Sequence, residues 1–199
     1  MSPDVIKKKF DHIYAQVSTP QFLRMEALGG EVPFFITSYD QRNADVIDQE
    51  IGRLASRMRM EGISVALIDL FDVVIAILEE KELLGPILET EADLAKDELF
   101  DLFSGALDVH TYLVPKIEEL IREKGDAQIV FLTGIGAVYP YIRSHIILNN
   151  LQNAIKHIPT LMFFPGVYNT VSLSLFGRLK DDNYYRAFNL DTLNLKERK

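Results

Sequence analysis

Residues 131–139, FLTGIGAVY, carry an apolar run into Thr133, Gly134 and Gly136. A strand that hands glycines to a helix start is the arrangement that cradles phosphates, because bare backbone N–H groups can approach the anion there. The dinucleotide pattern also needs a third glycine, spaced as in G-x-G-x-x-G, and a carboxylate about twenty residues further on. Tyr139 stands in that glycine's place, and residues 155–160 hold no Asp or Glu. Two readings of the turn stay open. It binds a nucleotide, or it is a tight strand-to-helix turn in which glycine supplies a positive φ.

Asp69 closes a second apolar run, VALID, as a metal-binding aspartate of a phosphatase or NTPase would. Its neighbour at useful spacing is Asp72, not the Asp-x-Asp pair of such sites, so capping of the following helix competes with metal binding. No G-x-x-x-x-G-K-[ST] occurs, which removes the standard NTPase. Histidines 12, 110, 145 and 157 form no HxH or HxxxH pair, and no G-x-S-x-G elbow is present. These absences predict a protein without metal, cofactor or catalytic triad, and therefore not an enzyme.

The spacing predicts a helix over 139–156 with Pro140 in its first turn and Ile142, Ile146, Leu151 and Ile155 on its core face. Its other face carries Arg143, Ser144, His145, Asn149, Asn150, Gln152 and Asn153, mostly uncharged groups where Glu and Lys are usual. Asn is a poor helix former, so these amides predict either buried polar contacts or a docking surface. Arg143 and His145, two apart on a helix, are expected to diverge.

The elements that position these groups follow from periodicity. Apolar runs predict strands at 33–37, 64–69, 128–133, 160–164 and 184–189, and the helix between the first two has Asn43 as N-cap, a Val46, Ile47, Ile51, Leu54 and Met58 stripe, and Gly62 as stop. Strand–helix–strand alternation predicts an α/β fold, three-layered, with a mainly parallel sheet of four to five strands. Residues 1–30 read as a helical N-terminal arm, and about 72–124 as an acidic helical insertion within one domain spanning 1–199. Between 172 and 179 helix and strand remain rivals, with a hairpin turning at KDDN as a further possibility. In a parallel sheet the carboxyl-end loops are where ligands bind.

Across 199 residues, 48% hydrophobic content suffices for a core without disulfides, and the lack of cysteine suits a reducing, cytoplasmic setting. A net charge of −8 argues against a broad nucleic-acid footprint, so direct DNA contact by the isolated chain is not expected. The most apolar stretch, 65–78, is too short to span a bilayer and is broken by Asp69 and Asp72. No secretory signal is visible in the first sixteen residues.

The segments VPFFITSYD, ISVALIDLFDVVIAIL, VFLTGIGAVYPYIRSHIILNNLQ, LMFFPGVYN and LFGRLKDDNYYRAFNL, in this order along the chain, resemble the BrxB family of the BREX bacteriophage-exclusion systems. The resemblance implies a cytoplasmic defence component that works beside a large ATPase, an alkaline-phosphatase-like protein and an adenine-specific DNA methyltransferase. It implies no catalytic residue, and its expected role is a scaffold or adaptor joining other proteins of the complex. A regulatory protein that binds nucleotide or nucleic acid through the carboxyl-end loops is the alternative. In the last of these segments, Arg178, Lys180, Asp181, Asp182, Asn183, Tyr184, Tyr185 and Arg186 set both charge signs beside two tyrosines. That mixture suits a protein interface or a charged turn before an edge strand.

Overall fold

The computed structural model describes residues 2–26, 34–170, 172–181 and 187–193. Five parallel strands form its centre: β1 (Phe34–Tyr39), β2 (Val65–Asp69), β3 (Ile129–Thr133), β4 (Thr160–Tyr168) and, after two short strands, β7 (Phe188–Asn189). Their spatial order is β2-β3-β4-β1-β7. β5 (Leu173–Leu175) and β6 (Leu179–Asp181) continue β4 as an antiparallel meander that leaves the central sheet. The fold is thus α/β with a mainly parallel sheet, as the alternating pattern predicts.

Successive strand residues point to opposite faces, and here both faces are apolar. Phe34, Ile36, Ala66, Ile68, Val130, Leu132, Met162 and Phe164 enter one core. Phe35, Val65, Ile129, Phe131, Leu161 and Phe163 enter the other. α1 (Pro3–Val17), α2 (Pro20–Leu23) and α3 (Ala44–Met60) cover the second face through residues such as Phe10, Ile13, Phe22, Ile51 and Met58. The first face is covered by α4 (Leu70–Glu80), α5 (Leu84–Thr90), α6 (Lys96–Ala106), α7 (Val114–Glu123) and α8 (Ser144–Ala154), with a π-helical turn at Val109–Leu113. No described helix is long and apolar enough to cross a membrane.

Two local expectations change and an open one is resolved. The helix predicted over 139–156 begins only at Ser144, because Ile135, Val138 and Ile142 are drawn into the core as a compact series of turns, and Tyr139–Pro140 is a cis peptide. With that start, Ile147 and Leu148 join Leu151 in the core and Ile146 is only partly buried. On α3, Val46 is exposed and Ala55 takes part in the buried stripe. The rivalry at 172–179 resolves as strand, with the turn at Phe176–Arg178 between β5 and β6. Of the strand expected at 184–189, Phe188 and Asn189 pair with β1, and 184–186 lie outside the described residues.

The two ends of the described chain meet at Asp191. Its carboxylate accepts hydrogen bonds from Thr37 Oγ1 at 2.6 Å and Ser38 N at 3.0 Å, and it pairs with Lys9 Nζ of α1. Removing it leaves a buried hydroxyl and a partly buried ammonium without an acceptor. Asp191→Ala should therefore destabilise the fold by about 1 to 3 kcal/mol, the range for an abandoned partly buried polar group. Urea denaturation checks this, and a loss below about 0.5 kcal/mol, typical of an ordinary surface change, would show that the latch is not structural.

Candidate functional site

The carboxyl ends of β1 to β4 converge on one edge, and most of their polar groups are already satisfied by the chain itself. Asp69 Oδ1 accepts from Phe71 N at 2.8 Å and Asp72 N at 3.4 Å, so it caps α4. Its other oxygen accepts from Thr133 Oγ1 at 2.7 Å. A carboxylate thus occupies the helix start where a phosphate would sit, and the capping reading of Asp69 holds. Among the described residues no cluster of His, Asp or Glu is arranged to hold a metal ion.

Gly134 lies directly against this cap. Its φ is +77°, and a Cβ there would fall 2.6 Å from Asp69 Oδ1 and 2.8 Å from Leu70 N. The glycine permits both the turn and the close approach of β3 to α4. Gly136 has a different reason: a Cβ would meet the ring of Phe176 at 2.9 Å. Thr133, Gly134 and Gly136 pack at the strand-to-turn junction, and at Gly134 the Asp69 carboxylate stands where the cradle reading would place a phosphate.

Beside the cap, Asp48, Asp69, Asp72 and Thr133 line an open cavity of about 440 Å³. Partial burial of its carboxyl, and then the charges of Asp69 and Asp45, raise Asp48 above the ordinary carboxylate range. Tyr39 is likewise raised, first by burial and then by Asp48 and Asp69. At the end of β1, Asp40 is held down to about 2 by hydrogen bonds from the side chain and backbone of Arg42.

The fourth loop is different. β4 runs past the sheet into the β5–β6 meander, which separates two clefts. One, of about 700 Å³, lies between the Asp40–Arg42 turn and Gly166, Val167 and Phe176–Leu179. The chain leaves β1 toward α3 on one face, and it leaves β4 toward β5, whose Leu173 and Leu175 join the core of the other face. This cleft therefore occupies the topological switch point where α/β sheets bind ligands.

The other cleft, of about 400 Å³, runs from the start of α8 to β5 and β6 and is lined by Tyr139, Arg143, Ser144, His145, Arg178 and Lys180 over an apolar floor of Phe164, Leu173 and Leu175. Arg143 and His145 share this groove, contrary to the divergence expected of helical neighbours. Arg143 is the N-cap, with extended φ −91° and ψ 141°, so the helical rotation does not separate them.

The amides expected to form a polar face divide. Asn150 Nδ2 donates to Ile146 O at 2.7 Å and Asn153 Nδ2 to Asn149 O at 3.2 Å, each one turn back along α8, while the Asn149 side chain is exposed. Asn149 and Asn150 are therefore not part of the groove. Asp181 ends β6, and Asp182, Asn183, Tyr184, Tyr185 and Arg186 lie outside the described residues. Sequence reasoning missed the place of Ser144 in the groove, because it depends on where α8 starts. It also missed Val167, which the longer β4 carries out of the core.

The family model for BREX protein BrxB matches residues 66–190. A BREX protein BrxB of Bacillus cereus (strain H3081.97) is 36% identical over 186 residues, 93% of this chain and 97% of that protein. Another BREX protein BrxB, from Escherichia coli O9:H4 (strain HS), is 27% identical over 193 residues, 96% of this chain and 94% of that protein. No solved structure matches.

Two outcomes follow from the edge geometry. Gly134→Ala should cost about 2 to 5 kcal/mol, combining ~1–2 for a left-handed L-residue with ~1–3 for forced overlap. Gly177→Ala, also at positive φ but with nothing within 4 Å of its Cβ, should lose only the first part. Equal losses in thermal melts would refute close packing at Gly134. For Asp48, a raised folded pKa means that ionisation opposes folding, so its favourable contribution exists at acid pH and is lost as pH rises through the folded value. Asp48→Asn should raise the melting temperature at pH 7, with the gain shrinking toward pH 3; a pH-independent gain would contradict this.

With a family model covering most of the chain and a relative of 36% identity along nearly all of it, the chain belongs to the BrxB family of BREX proteins.

Proposed function

We propose that this BREX component acts as a non-catalytic adaptor in the cytoplasm, docking other proteins of the defence system through the β4–β5–β6 meander. The observation that carries this reading is the surface of the switch-point cleft. Val167 is 55% exposed and Leu179 41% exposed, both beside Arg178. Apolar side chains next to an arginine, on a rigid extension of the sheet, have the composition of an interface centre. The self-capped carboxylates of the neighbouring loops support the same reading, since Asp69 and Asp191 are engaged in holding the backbone.

Candidate partners are the alkaline-phosphatase-like protein, the adenine-specific DNA methyltransferase and the large ATPase of the same system. The test is co-purification from cells expressing the whole defence cluster. Val167→Glu places a charge on the exposed strand surface and should leave the melting temperature within about 2 °C, as a surface change of up to ~0.5 kcal/mol does in a domain of this size. It should weaken recovery of the bound partner at least tenfold, as burying an unpaired charge at an interface requires. A variant that retains every partner at wild-type yield, or a wild-type chain that recovers none, would refute docking through this surface.

A further inference from the structure

The groove at the start of α8 differs from the other carboxyl-end loops because no described carboxylate lines it. In a chain of net charge −8, Arg143, Arg178 and Lys180 converge there with His145. Neither Arg143 nor Arg178 forms an ion pair with another described residue. α8 contributes its positive end: Arg143 gives no side-chain cap, and the first amides to bond within the helix are Ile146 N and Ile147 N, both to Arg143 O.

A second feature points to a ligand independently of the helix end. Ser144, at the first helical position, is only 9% exposed, and its hydroxyl has no hydrogen-bond partner among the described residues. Buried hydroxyls are normally paired, so an unpaired one lining a cleft calls for an acceptor that arrives from outside. An oxyanion between the guanidinium groups would accept from this hydroxyl and from the adjacent backbone N–H, each bond strengthened by charge. Tyr139, 37% exposed, stands at the same groove and offers a ring face for an aromatic base.

We propose that the groove formed by Arg143, Ser144, Arg178 and Tyr139 binds a nucleoside 5′-phosphate, either as a free nucleotide or as the 5′ end of a single strand. The phosphate sits at the α8 start between the two arginines, and the base lies toward Tyr139. The groove adjoins the docking cleft, and the two share Arg178 and Leu179, but Arg143, Ser144 and Tyr139 line the groove alone and Val167 lines the cleft alone.

Calorimetric titration of the full chain with AMP and with inorganic phosphate tests the site, and anisotropy with one oligodeoxynucleotide, 5′-phosphorylated or 5′-hydroxyl, separates the sources. AMP should bind, more tightly than inorganic phosphate, and weaken as salt rises. Arg143→Gln with Arg178→Gln should weaken it at least tenfold at an unchanged melting temperature. Ser144→Asp, which supplies an anion in place of the ligand, should abolish binding; if that variant misfolds, the double arginine variant decides. Tyr139→Ala should remove the preference for AMP over phosphate. Preference for the phosphorylated over the hydroxyl strand assigns the site to a nucleic-acid end, and AMP binding without that preference assigns it to a free nucleotide. Absence of binding by AMP and by the phosphorylated strand at millimolar concentration, or wild-type affinity in the double variant, would overturn the proposal. Partner recovery with Val167→Glu is read separately, so either idea can fail alone.

Discussion

Burial of both faces of the parallel strands is the constraint from which the remaining structure follows. All five residues of β3 are buried, and the four apolar ones alternate between the two cores. A sheet of this kind is unstable in water with either face bare, because parallel strands with apolar residues on both sides need cover on both sides. The N-terminal helices and α3 supply one layer, and α4 to α8 the other. With the faces closed, polar groups are left to the strand ends, and the loops there become the surface on which recognition can develop.

At that edge the chain meets its own backbone donors with carboxylates. Asp69 caps α4 and receives the Thr133 hydroxyl, while Asp191 receives Thr37, Ser38 and Lys9. These contacts join elements far apart in sequence and leave little at those positions for an external anion. The β4 loop escapes this arrangement because its strand extends into a meander. Its two clefts therefore combine exposed apolar groups, unpaired arginines and a helix start. An adaptor surface and an anion groove can coexist there, meeting at Arg178 and Leu179 of the same short ribbon.

The segments that resemble the family run along the whole chain, and the geometry shows what they have in common. The first four each hold a strand together with the residues at its carboxyl end, so they combine core packing with edge chemistry. The acidic stretch through α5 and α6 has many exposed residues and meets the core through buried Ile87 and Ala106 together with partly buried side chains such as Leu99 and Phe103.

By itself, the sequence determined the α/β class, the four main strands to within a few residues, and the N-cap role of Asp69 as one of two readings. Continuous apolar runs report burial on two faces, and an aspartate at a strand end reports a cap, because both signals are local. Tertiary structure decided the rest. The start of α8 moved to Ser144 because burial of Ile135, Val138 and Ile142 outweighed helical periodicity, and that shift placed Arg143 and His145 in one groove. Whether Gly134 faced a phosphate or a carboxylate depended on how β3 approached α4, a distance between residues 64 positions or more apart that no local pattern encodes. The partnership of Asp191 with Thr37 and Lys9, and the meeting of Arg178 with the start of α8, are likewise products of chain crossing.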